Sequence, residues 1–76
     1  MNISKILWSS RRGMLELDIL LQYYIKNFYF ISSEKRKKDF QKMLSYHDQY
    51  LWNWIIQGKV PKNKNFQKII DHIRKY

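Results

Sequence analysis

The sequence predicts an all-α protein, a compact bundle of five short helices. Three observations predict it. Apolar residues recur at helical spacing in one segment after another, and no segment alternates with period two between turn signals. Gly13, Gly58 and Pro61, the chain's two glycines and single proline, all fall between the periodic segments. The 76 residues make one domain, 1–76, near the lower size limit for a single core. A chain this short buries only about 60% of its unfolded surface. It has no cysteine, so neither a disulfide nor a thiolate metal site can staple it. Packing must therefore hold the fold, and three Trp, six Tyr, four Phe and ten Ile supply it.

Ser4 is a plausible N-cap for a first helix carrying Ile3, Ile6, Leu7 and Ser10 at helical spacing and ending at Gly13. Trp8 lies off that stripe, either as a lid over the core edge or as a recognition residue. The second helix is expected from about Glu16 to Tyr29, with Leu17, Leu20, Leu21, Tyr24 and Phe28 as its buried face. Ile19, Tyr23 and Ile25 widen that face to more than half the circumference, as expected of the bundle's central helix. Ser32 or Ser33 caps the third helix, Glu34 favours its first turn, and Ile31 is placed to staple onto it. That helix buries Phe40, Met43 and Leu44 and turns Lys35-Arg36-Lys37-Lys38 outward. Asp48 is expected to cap the fourth, whose inner face is Leu51, Trp54 and Ile55. Gly58 ends it, and residues 59–63 read as an exposed loop. Asn63 or Asn65 caps the fifth, with Phe66, Ile69, Ile70 and Ile73 inward.

Charge concentrates where the first two helices meet, in Arg11-Arg12-Gly13-Met14-Leu15-Glu16-Leu17-Asp18. Gly13 suits a helix C-terminus, where positive φ carries no steric penalty for glycine. Arg11 and Arg12 then complement the end of one helix dipole, and Glu16 and Asp18 the start of the next. Two readings follow. Either this is a capped corner with Arg12 and Glu16 paired across it, or it displays a guanidinium and a carboxylate to a partner.

The net charge of +9 invites a nucleic-acid partner. However, eleven of the fifteen cations are Lys, in a chain also rich in Ile, Asn, Tyr and Phe. Those residues rise together where coding DNA is rich in A and T. A small basic helical nucleic-acid binder, reading with its third and fourth helices, is the alternative function. Enzyme chemistry lacks its parts. His47 and His72 have no partner at metal-ligand spacing, and both read as satisfied surface histidines. There is no phosphate-cradling glycine loop, Gly-x-Ser-x-Gly elbow or dinucleotide fingerprint. The expectation is a protein that acts by binding and is not an enzyme, with no catalytic, cofactor or metal residues. The first residues carry neither a signal nor a transit pattern, and no segment is long and apolar enough to span a membrane, so a cytoplasmic protein is expected.

Trp8, Arg11-Arg12-Gly13-Met14-x-Glu16-Leu17-Asp18, Asp48-x-x-Leu51-x-Asn53-Trp54, Gly58 and Pro61 together resemble the SdhE-type flavinylation factors, the succinate dehydrogenase assembly factor 2 family. The likeness spans Ile6 to Ile73. The bare Arg-Gly-x-x-Glu pattern is weak, and its setting between that Trp and the later Leu-x-Asn-Trp makes it specific. Ser10 departs from the Cys of many members and Leu15 from a basic residue, and the third helix is unusually basic. The resemblance implies a monomeric five-helix factor that binds the flavoprotein subunit of succinate dehydrogenase, and in bacteria fumarate reductase. It promotes covalent attachment of FAD to a histidine of that subunit. Whether the factor contacts FAD is not legible in the residues, and no stably bound FAD is expected. Linking histidine to the flavin 8α-methyl requires loss of a methyl proton and builds negative charge on the ring, which preorganised electrostatics stabilises. The motif carries over onto Arg12, Gly13 and Glu16. With Trp8, Arg11, Met14 and Asp18 these are the expected partner contacts.

Overall fold

The computed structural model describes residues 5, 6, 10 and 12–75, and among them every regular element is a helix. Helix α1 is Leu15–Asn27, followed by a 3-10 turn at Tyr29–Ile31. Helices α2, α3 and α4 are Glu34–Leu44, Asp48–Ile55 and Lys64–Arg74. The all-α class therefore holds, with four α-helices among the described residues where five were expected. The expected first helix lies largely outside them, and so do Trp8 and Arg11. Lys5 and Ile6 are helical. The Ser10 N–H donates to the Ile6 carbonyl at 3.1 Å, and both residues are buried.

Helix α1 stops two residues earlier than expected. The backbone leaves the helical region at Phe28, with φ −132°. The Ser32 hydroxyl donates to the Phe28 carbonyl at 2.7 Å and holds the tighter turn. That turn drives the Tyr29 ring into the core against Phe40, with centroids 5.5 Å apart, and Gln41 Nε2 donates to its hydroxyl at 2.6 Å. Its other consequence is that Ile31 is 82% exposed, so it staples nothing.

Caps set the remaining starts. Ser33 Oγ accepts from the Arg36 N–H at 3.1 Å, and Asn63 Oδ1 accepts from the Asn65 N–H at 2.9 Å. The expected cap at Asp48 moves back one residue. His47 Nδ1 accepts from the Gln49 N–H at 3.1 Å, so Asp48 is the first residue of α3 and its carboxylate stays available to another partner. Gly58 has φ +76°, as a helix-terminating glycine should.

The core is one cluster drawn from every helix. Helix α4 buries Phe66, Ile69, Ile70 and Ile73 and packs against each of the other three helices described. The α1 surface splits. Leu17, Leu21, Tyr24 and Ile25 face inward, Leu20 and Phe28 are half-buried, and Ile19 and Tyr23 are exposed. Two further expectations are corrected by packing. Pro61 is buried in the 59–63 loop, beside Tyr46, Trp54 and Phe66. His72 is half-buried, its ring 4.2 Å from that of Phe28.

Candidate partner-binding corner

The corner from Arg12 to Asp18 is built around one carboxylate. Gly13 takes φ +75°, which lets two consecutive backbone N–H groups converge. Asp18 reaches back from the first turn of α1 to accept both. Its Oδ1 takes the Arg12 N–H at 2.7 Å and its Oδ2 the Gly13 N–H at 3.2 Å. Met14 begins the helix without a side-chain cap, its carbonyl accepting from the Asp18 N–H at 2.9 Å. Asp18 therefore fixes the corner's shape and has little of its carboxylate left to offer a partner.

Neither reading of Arg12 holds as stated, because it does not pair with Glu16 and its guanidinium is not displayed. The Arg12 guanidinium turns inward, 16% exposed, and donates through Nη2 to the Leu44 carbonyl at the end of α2. Its Nη1 lies 3.5 Å from Asp48 Oδ1 at the start of α3. The reason is electrostatic. The C-terminus of α2 offers unpaired carbonyls and the negative end of its dipole, and Asp48 adds a formal charge, whereas Glu16 lies out in water. Among the described residues the buried Arg12 Nε has no partner, and the guanidinium is held through its two Nη atoms.

Two of the expected contact residues remain presented at the surface. Gly13 is exposed, and a Cβ built on it would meet nothing within 4 Å. Glu16 is exposed and has no ion-pair partner among the described residues. Met14 is half-buried, lining a cleft of about 220 Å³ with Gln49 and Trp52 of α3. Among the described residues the corner thus has an open backbone with an unpaired carboxylate beside it, and it is locked to the α2–α3 junction by Arg12. Sequence reasoning missed both partners of Arg12, which lie 32 and 36 residues along the chain. The only prior signal was that Asp48 belongs to the second block of matching residues.

The basic run of α2 is partly engaged within the helix. Lys35 pairs with Asp39 at 3.1 Å and Lys37 with Glu34 at 3.6 Å, and the Lys37 ammonium stands 5.9 Å above the Tyr29 ring. Among the described residues no helix is long and apolar enough to cross a membrane, and no group of acidic residues or histidines is placed to hold a metal.

The fold defines the class, a small all-α domain with a charged corner at its surface. Sequence comparison places it more narrowly. The family described as "Flavinator of succinate dehydrogenase" matches residues 4–76. The FAD assembly factor SdhE of Wigglesworthia glossinidia brevipalpis is 46% identical over 74 residues, covering 97% of this chain and 88% of that protein. The factor of the same name from Francisella tularensis is 39% identical over 74 residues, covering 97% and 77%. That of Coxiella burnetii is 37% identical over 70 residues, covering 92% and 85%. No solved structure matches the chain. The chain belongs to the succinate dehydrogenase flavinator family.

Proposed function

We propose that this chain is a cytoplasmic, monomeric, single-domain assembly factor, 1–76, for the flavoprotein subunit of succinate dehydrogenase. It binds that subunit, and also that of fumarate reductase, and promotes covalent attachment of FAD. Family membership over residues 4–76 supports the function, and the open backbone at Gly13 beside the free Glu16 carboxylate supports the corner as the contact. Trp8 and Arg11 belong to the proposed contact as well.

The factor acts by holding its partner, without a reaction of its own and without stably bound FAD. A protein that must leave the mature enzyme cannot remain part of its site. Its contribution is to hold the flavin-bearing domains in the reactive arrangement, which lowers the barrier through orientation. The geometry supports a division of labour within the corner. Arg12 and Asp18 set its shape from inside, while Gly13 lets partner backbone approach closely and Glu16 offers a hydrogen-bond acceptor to a partner cation or N–H.

The nucleic-acid reading loses ground to this one. The matched family and relatives are named for FAD assembly. Residues 13–25 also carry two carboxylates and no Lys or Arg, a poor match for phosphate. The test is reconstitution. The purified chain, added to recombinant apo-flavoprotein and FAD, should raise the fraction of flavin that survives denaturation on the subunit. Its association should weaken only modestly between 50 and 200 mM salt, whereas phosphate binding with six or more contacts falls about a thousandfold or more over that range. No gain in covalent flavin overturns the proposal.

A further inference from the structure

Helix α1 has a second apolar face that is exposed to solvent. Leu15, Ile19 and Tyr23 are 76%, 57% and 45% exposed, while Leu17, Leu21, Tyr24 and Ile25 of the same helix are buried. Single exposed apolar side chains are ordinary on protein surfaces. These three stand at i, i+4 and i+8, which stacks them along one ridge about 12 Å long at 1.5 Å rise per residue. The row opens inside the corner, because Leu15 lies between Met14 and Glu16. Its electrostatics differ from those of the rest of the chain. In a molecule of net charge +9, residues 13–25 hold no cation, and of their two carboxylates Asp18 is taken up by backbone N–H groups. The strip is therefore apolar along its length, with Glu16 at one end and Lys26 beyond the other.

We infer that Leu15, Ile19 and Tyr23 form the docking strip by which the factor grips the flavoprotein subunit, lying as a helix ridge in an apolar groove of that subunit. The inference rests on the proposed function and deepens it, dividing affinity from activity. Continuity with the corner names the occupant. A partner seated on Gly13 and Glu16 meets Leu15 at once, and Ile19 and Tyr23 extend the same contact. Helix-in-groove recognition reads an amphipathic helix through anchors at this kind of spacing. A polyanion gains nothing from such a surface. The exposed Ile31 and Val60 lie in other segments, each with lysines nearby in sequence, and are off the ridge.

The test measures binding to recombinant apo-flavoprotein by titration calorimetry, and covalent FAD yield across factor concentration, for wild type, Ile19→Asn, Leu15→Asn and the off-ridge control Ile31→Asn. Ile19→Asn and Leu15→Asn are expected to keep the wild-type melting temperature within a few degrees and to bind at least tenfold more weakly. Their covalent FAD yield should return to the wild-type level at saturating factor. Ile31→Asn should match wild type throughout. Unchanged affinity in both ridge variants overturns the strip while leaving the proposed function standing. So does equal weakening by Ile31→Asn, or a yield that saturating factor fails to restore. A factor dimer that Ile19→Asn dissociates would assign the ridge to a second copy and likewise overturn the inference. A wild-type chain that neither binds nor raises covalent FAD is a separate result, and it overturns the function itself.

Discussion

Arg12 binds the carbonyl of Leu44, 32 residues further along the chain, and so ties the charged corner to the end of α2. This contact changes the meaning of the motif. The arginine organises the corner from behind, and among the described residues the Gly13 backbone, Leu15 and the Glu16 carboxylate face outward.

Arg12→Ala should therefore destabilise the protein by about 1–2 kcal/mol, the range for a partly buried cation at a helix C-terminus. Glu16→Ala should change stability by less than about 0.5 kcal/mol, as expected of a surface residue without a partner. Urea unfolding of the two variants checks the contrast. Equal effects would mean that the guanidinium is not anchored as described.

Trp54→Ala should cost about 3–5 kcal/mol. Its ring is nearly buried and packs against Tyr46 and Phe66, with centroids 5.4 and 5.9 Å away. Removing that much from a domain of marginal stability leaves most of the chain unfolded at physiological temperature. Thermal melting followed by circular dichroism would show it.

The two glycines should respond differently to alanine. Both have positive φ, which costs a residue with a Cβ about 1 kcal/mol. At Gly13 the new methyl group meets open space, whereas at Gly58 it would sit 2.8 Å from Arg74 Nη1. Gly58→Ala should therefore be the more damaging of the two in a melt, because the Arg74 side chain must move aside as well.

Burial raises the Tyr24 hydroxyl above its ordinary pKa of 10.0, outweighing the opposing pull of Ser32 and Arg36. A raised folded value means that the unfolded chain releases this proton first. Stability from this group is thus complete below about pH 10 and is lost as pH rises from there through the folded value. Tyr24→Phe should remove this part of the alkaline loss, measurable as a shallower decline of melting temperature above pH 10.

The helices and most of their buried positions could be read from spacing, because an apolar stripe at period 3.6 has few other uses in a soluble chain. Phe66, Ile69, Ile70 and Ile73 illustrate it, and all four are buried. What could not be read was the width of the buried face of α1. Leu17, Leu21 and Tyr24 lie inward as expected, but Ile19 and Tyr23, expected to widen that face, are exposed. Ile19 and Tyr23 look as apolar as Leu17 and Leu21 in the sequence, and only the placement of α3 and α4 decides which side the core occupies. The end of α1 was lost for a similar reason, since a continued helix and a 3-10 turn differ only in where they send the Tyr29 ring. At the corner, local charge logic offered Arg12 either Glu16 or a partner protein. A helix end far along the chain binds it instead, and spacing carries no trace of such a contact.

The central claim is that Gly13 and Glu16 face the flavoprotein. In-gel flavin fluorescence of the denatured subunit reports covalent FAD directly, and it can be read for Gly13→Arg and Glu16→Ala beside melting curves of both. At Gly13 the Cβ itself has room, so the arginine should cost only about 1 kcal/mol of backbone strain while blocking the partner's approach. Both variants should be folded, with covalent FAD strongly reduced. Wild-type levels of covalent FAD in the two folded variants would contradict it and return this corner to a purely structural role.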